Sequence, residues 1–342
     1  MAAWTNGASR DSMPPRALDW PPSPPSTIER LRVTMPTDRL NGWIVTLIIG
    51  AIACVIRFVN LGYPNKLVFD ETYYAKDAYS LLKFGYERDW ASNANSKIIA
   101  GDIDVMKDTA SFVVHPQLGK WLIAGGEQLF GMNSFGWRFA SLIFGTLLIM
   151  VTIRLVRRVS KSTLIGGLAG ILLAFDGLEF VMSRTALLDI FMAFFLVAAV
   201  ACLVADREWF RNHLARYLER REIPDLGGRF GPALILRPWR IAAGISFGLA
   251  LGTKWNALFP LAAFALLSLA WDIGARRLAG ARSRAKLAIL RDGIPAFFSV
   301  VVLSLVVYAG TWASWLATSG GYDRQWGAQH PESATVKLLG KP

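Results

Sequence analysis

Charge is scarce in this chain: only 18% of its 342 residues are charged, against about 25% in an ordinary soluble domain. The apolar residues, 53% of the total, fall in long blocks and not at the period of an amphipathic helix or strand. Cysteine is nearly absent. Cys54 and Cys202 both lie inside apolar blocks, where they read as buried thiols, so a disulfide framework is excluded and the redox compartment is left open. Histidine is equally sparse. His115, His213 and His330 lie far apart without metal-ligand spacing, so no zinc motif is indicated, although distant ligands can converge in a fold. No short apolar core begins near Met1, which argues against a secretory signal peptide.

What is present is a proline-rich N-terminal stretch followed by a membrane module. Residues 1–40 hold Pro14, Pro15, Pro21, Pro22, Pro24, Pro25 and Pro36 among Ser and Thr. Such a segment buries too little apolar surface to offset its ordering entropy, and it is predicted to be a disordered tail. Its arginines predict a cytoplasmic location. Seven apolar blocks follow, Trp43–Val59, Trp137–Val156, Leu164–Val181, Leu187–Ala205, Ile241–Thr253, Trp255–Trp271 and Ile294–Ala317. About 20 residues span a bilayer as a helix, so the fold class expected is an all-α polytopic membrane protein of about seven spans. The fifth block is short, and Gly244, Gly248 and Gly252 give it a small-residue face for close helix packing.

The net charge of +12 could suggest nucleic acid, but the placement of the charges decides otherwise. With the N-terminus inside, the loops 154–161, 206–239 and 272–292 are arginine-rich, whereas the short connections on the other side hold only Arg184 and Lys254. That is the positive-inside pattern, and it accounts for the charge through anionic lipid. No nucleic-acid partner is expected. The segment 60–136 then lies outside. Thr72–Tyr86 and Leu118–Phe130 read there as surface helices, with the acidic Glu87–Ser111 between them as a loop.

Ionisable residues gather near the outer ends of the spans: Arg57, the Asp70-Glu71 doublet, His115, Lys120, Arg138, Arg184, Asp189 and Lys254. Charges at a membrane edge are costly and usually functional. Each also has a structural reading. Arg57, Arg138 and Arg184 could be snorkelling anchors, and the acidic doublet could start a helix. His115 could belong to a helix start, and Asp176 with Glu179 fit best as structural partners of Arg184. Lys254 sits between two apolar blocks with no loop to solvate it, which favours a bound anion.

At these residues the sequence resembles the protein O-mannosyltransferase family, membrane glycosyltransferases of the GT-C type. The resemblance is carried by Arg57 ahead of Asp70-Glu71, by His-Pro-x-Leu-Gly-Lys at His115–Lys120, and by Phe-Gly-x-Arg at Arg138. Arg-x-x-Leu-Leu-Asp at Arg184–Asp189 and Gly-x-Lys-Trp at Lys254 complete it. It runs from about Trp43 to Gly320. It departs where Gln117 replaces the second proline of the family's His-Pro-Pro, and at Pro342, where the family continues with an outer loop and further helices. A C-terminally truncated member is therefore expected, with 41–320 as the GT-C module and 321–342 as the start of an outer loop.

The resemblance implies transfer of mannose from polyprenyl-phosphate-mannose to Ser or Thr of exported polypeptides, met at the secretion translocon. It implies Asp70 as base and no metal or other cofactor. A glycosyl phosphate carries its own good leaving group, so the chemistry needs a base and cations, not the two carboxylates of a typical glycosidase. The assignment expected is Asp70 as base, Glu71 orienting it or the acceptor, Arg138 and Lys254 on the donor phosphate with Arg57 and Arg184 as secondary candidates, and His115 on the acceptor path. Direct attack predicts inversion. The excess of arginine over lysine points to a bacterial plasma membrane. The competing readings are a GT-C enzyme acting on a lipid or cell-wall glycan, and a transporter, although the charges cluster at one end and no internal repeat is visible.

Overall fold

The structure is a computed structural model that describes residues 25–281 and 287–339. Among the described residues, five helices are long and apolar enough to cross a membrane: α2 (Arg39–Phe58), α6 (Ser134–Ser160), α9 (Leu188–Arg220), the stretch Trp255–Leu278 and the stretch Ala288–Gly310. These make the chain a multi-pass membrane protein. The remaining two apolar blocks are shorter helices, α7 (Thr163–Ala174) and α10 (Pro238–Leu251). The block expected as a single span over 164–181 breaks at Phe175. Asp176 accepts a hydrogen bond from the Glu179 amide and so caps a separate helix, α8 (Gly177–Met182).

Small residues set the closest packing. A Cβ at Gly248 would meet Val307 at 2.6 Å, and one at Gly252 would meet Thr311 at 2.5 Å. At Gly244 it would run into the Ser299 carbonyl. The glycine face of α10 is thus the face pressed against the last span, which is π-helical over Phe297–Val302 beside it.

Between the first two spans lie α3 (Glu71–Phe84) and α5 (Leu118–Phe130), close to the expected surface helices. They pack on each other, and their buried residues, Ala75, Ala78, Ile123 and Ala124, join the main core with Trp137 and Phe191. The region 87–111 is not the loop expected. Strands β1 (Arg88–Trp90) and β2 (Met106–Ala110) pair antiparallel, with the short helix α4 (Ala94–Ile99) between them. Strands this short show no alternation long enough to read.

The expected disordered tail needs correcting for part of its length. Residues 1–24 lie outside the described residues, but Thr27–Leu31 is a helix, α1, started by a reciprocal capping box between Ser26 and Glu29. Its Leu31 is fully buried with Phe210 and Leu214 of α9. Beside this apolar anchor, Arg32 donates to Glu219 and the Val33 amide to Asn212, which tie the segment to α9.

At the arginine-rich end, α9, α10 and the helix α11 (Leu258–Leu278) are tied by a buried network. Arg237 donates to Asp206 and to Asp272, both at 2.9 Å. Arg240 donates to the same two carboxylates at 3.1 and 2.6 Å. Arg276 is paired likewise with Asp292 at 2.7 Å.

Candidate active site

Asp70 and Glu71 are neighbours with opposite fates. Phe69 just before them adopts φ +52°, a left-handed step that a bulky side chain rarely takes. The chain then enters α3 with Glu71 turned in and Asp70 half-exposed. The Glu71 carboxylate is fully buried and accepts from the Val68 amide at 2.9 Å, the Ala186 amide at 2.9 Å, and Nε and Nη2 of Arg138 at 2.8 and 2.9 Å. It therefore joins the start of α3 to α6 and to the turn that leads into α9.

Arg138 is consumed by the same construction. Its remaining donors go to the carbonyls of Leu61, Pro64 and Lys66, all near 3.1 Å. All five N–H groups of the guanidinium are used. The expectation that Arg138 binds the donor phosphate is corrected: it is an internal strut. Arg57 is corrected in the same way. It is fully buried, donates to Ser183 and to the carbonyls of Ala53 and Ala174, and pairs with Glu179. Glu179 thus serves Arg57, not Arg184. Glu71 too leaves the acceptor-orienting role expected of it and acts as a scaffold.

Lys120 and Gln117 build a second buried support. Lys120 Nζ sits 2.9 Å from both Asp77 and Glu87. Gln117 donates to Glu87 at 2.9 Å and accepts from Ser314 at 2.8 Å. The glutamine that departs from the family motif thus bridges α5 to the segment after the last span.

These supports leave a small set of groups accessible. The Leu118 amide bonds the Gly252 carbonyl at 3.0 Å, and a Cβ at Gly119 would meet Leu188 at 2.6 Å and Thr253 at 3.1 Å. That close approach brings His115, at the entrance to α5, to Asp189 in the first turn of α9 and to Lys254 after α10. Lys254 Nζ lies 2.9 Å from both oxygens of Asp189, with the two side chains 17% and 40% exposed. Tyr74, one helical turn after Asp70, points its hydroxyl at the Asp70 carboxylate, 3.5 Å away, and its ring tilts against His115 at 6.1 Å between centroids. The shared fields reveal the same convergence. Burial lowers the His115 pKa, as do Lys254 and Lys120, while Asp189 and Asp70 oppose them. Burial raises that of Tyr74, reinforced by Asp70 and Asp189. Both are held neutral near pH 7.

Asp70 differs from the other carboxylates here. Glu71, Asp77, Glu87 and Glu179 are all locked in buried ion pairs, and Asp189 holds Lys254. Asp70 has no cationic partner within 4 Å among the described residues, which leaves its lone pairs free to accept a proton. Arg184 lies beside a cavity of about 320 Å³ lined by Tyr63, Val68, Phe180 and Thr185, with the edge of Arg138 on its wall. One of its nitrogens donates to the carbonyls of Val59 and Asn60, and no carboxylate pairs with it among the described residues. Burial, with repulsion from Arg138 and Arg57, lowers its pKa. Tyr74 is the site residue that sequence reading misses, although its position four after Asp70 puts both on one helical face.

A family model described as dolichyl-phosphate-mannose-protein mannosyltransferase matches residues 47–218. The chain is 39% identical over 297 residues to the polyprenol-phosphate-mannose–protein mannosyltransferase of Mycobacterium tuberculosis, a match covering 84% of this chain and 52% of that protein. It is 36% identical over 276 residues to the Corynebacterium glutamicum protein of the same name, covering 79% and 50%. The chain thus spans about half the length of these curated relatives. Among solved structures, the Saccharomyces cerevisiae protein O-mannosyltransferase Pmt1-Pmt2 complex bound to the sugar donor matches with a TM-score of 0.60 at 20% identity, over 87% of this chain and 36% of that one. At that identity the likeness speaks for the fold, a GT-C-type helical bundle.

Proposed function

The chain belongs to the dolichyl-phosphate-mannose-protein mannosyltransferase family, and on that premise we propose that it carries the catalytic centre of an inverting transferase. The donor is a polyprenyl-phosphate-mannose, and the acceptor is a Ser or Thr hydroxyl of an exported polypeptide. The single observation that carries this reading is Asp70, without a cationic partner among the described residues, beside the Lys254–Asp189 pair, at the end of the bundle away from the arginine-rich loops. With those loops cytoplasmic, the site faces the outer side of the plasma membrane.

Asp70 takes the proton from the acceptor hydroxyl as its oxygen attacks the anomeric carbon, and the phosphate leaves with the electron pair of the broken glycosidic bond. Tyr74, held neutral, points its hydroxyl at Asp70 from 3.5 Å, a long contact that orients the base without engaging it tightly. A base in hydrogen-bond reach contributes about 10²–10⁴-fold. Lys254 and Arg184 are the cations left to meet phosphate charge, and Asp189 holds Lys254 in place until the donor arrives. Neutral His115 borders the acceptor side. Side-chain cations fill the role a metal would have, so chelation of divalent ions is expected to leave transfer unchanged, measured as label moved in excess EDTA.

The deciding experiment supplies labelled donor to membranes containing the protein together with a Ser/Thr peptide. Label in the peptide, lost in Asp70→Asn, supports the reading. Label that enters only lipid or glycan sinks the protein acceptor, and full activity in Asp70→Asn sinks the base.

A further inference from the structure

The arginine-rich end holds a second cluster of cations, which the transfer chemistry does not use. Two adjoining cavities of about 320 and 230 Å³ share Arg207, Arg211 and Trp271, between α9 and α11. Arg158 and Lys161 line the same cleft, so four cations face it. Among the described residues the one carboxylate on its wall is Glu208, 3.2 Å from Arg158 and 2.8 Å from Lys161. Asp206 and Asp272 lie close by in sequence, but they are buried and matched by Arg237 and Arg240. They do not neutralise the cleft. Arg207 is exposed, forms no salt bridge among the described residues and lies over the Trp271 ring at 5.2 Å. Arg211 spends one nitrogen on the Arg30 carbonyl, and its Nε is buried without a partner. A desolvated donor with no acceptor is costly unless a ligand meets it.

Depth identifies the ligand. Arg207 lies nineteen residues along α9 from Leu188, about 28 Å at 1.5 Å per residue, close to the roughly 30 Å thickness of the hydrocarbon. The cations therefore stand at headgroup level on the side opposite Asp70. Trp271 is a ring suited to that interface. On the hydrocarbon side of these cations the cleft is walled by Val204 and Ala270, where an acyl chain can lie, whereas Gly274, beyond Trp271 toward the cytoplasmic end of α11, leaves open space at headgroup level, since a Cβ there meets nothing within 4 Å.

We propose that this cleft binds the headgroup of an acidic phospholipid, with Arg207 and Arg211 as its principal contacts and the open space at Gly274 giving that headgroup room. The site is independent of the transfer reaction. It can be tested on the full chain in neutral detergent, by native mass spectrometry during titration with cardiolipin and, separately, with phosphatidylcholine. Cardiolipin is expected to be retained preferentially. The double variant R207Q/R211Q is expected to bind it about thirtyfold more weakly, given roughly a fivefold contribution from each basic side chain near an anionic lipid. R207Q alone, which removes no hydrogen bond, is expected to lose about fivefold and guards against misfolding of the double variant. Gly274→Leu keeps every charge and is expected to weaken lipid binding by crowding the headgroup. The pair R229Q/R277Q, exposed cations outside the cleft, is expected to match the parent. Equal retention of the two lipids overturns the proposal. So does an equal loss in R229Q/R277Q, or full displacement of cardiolipin by inorganic phosphate, which would mark a plain anion site.

Discussion

The two ends of α9 carry aspartates that teach opposite lessons. Asp206, at the arginine-rich end, is 2% exposed in its side chain and shares Arg237 and Arg240 with Asp272, two cations for two anions. Both carboxylates are fully engaged, and of the two guanidiniums only Nη1 of Arg240 is without a partner among the described residues. Asp189, at the other end, is 40% exposed and holds a single lysine. Its neighbour Asp70 has only a long contact to a phenol. A saturated buried network fixes helices relative to one another and is expensive to break. An open, under-partnered set can change its partners when substrate arrives. The same residue types do structural work at one end and are poised for chemistry at the other, and the difference lies in how many partners each already has.

The comparison breaks most sharply at its extremes. Asp70→Asn is expected to cut transfer by about 10²–10⁴-fold with the thermal midpoint unchanged, measured on the same detergent-purified sample. Asp272→Ala should do the reverse. It strands two buried guanidiniums and should cost about 3–5 kcal/mol, read as a lowered unfolding midpoint, with activity per folded molecule preserved. If Asp272→Ala proves neutral, the network is not the brace described here. Next in size, Lys254→Ala should weaken donor binding by about ten- to a hundredfold, the loss of one charge-assisted hydrogen bond, by equilibrium binding of the lipid donor. Unchanged affinity makes Lys254 structural. The smallest effect is in pH. His115 has a pKa below its ordinary 6.5 in the folded protein, so between that value and 6.5 the unfolded chain binds the extra proton. Stability should therefore fall as pH drops through this window and level off below it. His115→Gln should flatten that part of the profile, and an unaltered slope would show that His115 is not the group responsible.

Much of this was legible in the sequence, and the failures have a common cause. Hydropathy and loop charge are properties of contiguous stretches, so the apolar blocks, α3, α5 and the close-packing face of Gly244, Gly248 and Gly252 can be read directly. The break at Phe175 was also in view, since Asp176 with Glu179 three residues on is a helix-start pattern. The partners of a charge were not. Arg138 meets Glu71 across 67 residues and Arg57 meets Glu179 across 122, and no local pattern distinguishes a satisfied arginine from one awaiting phosphate. The same blindness hid Tyr74, whose interest comes from the His115 ring and the Asp189 field around it. The ordering of Thr27–Leu31 by a distant helix was invisible for the same reason.

The Glu71 carboxylate has a consequence for how any loss of function in this doublet is interpreted. Four hydrogen bonds, from the neighbouring Val68 amide and from two remote stretches of chain at Arg138 and Ala186, meet on one side chain. Even a change to aspartate, one methylene shorter, withdraws the group from partners that cannot follow it together. Adjacent acids will therefore both look indispensable in a scan of turnover alone. Only a melting curve taken alongside will reveal that silencing the first removes a reagent, whereas silencing the second dismantles the vessel that holds it.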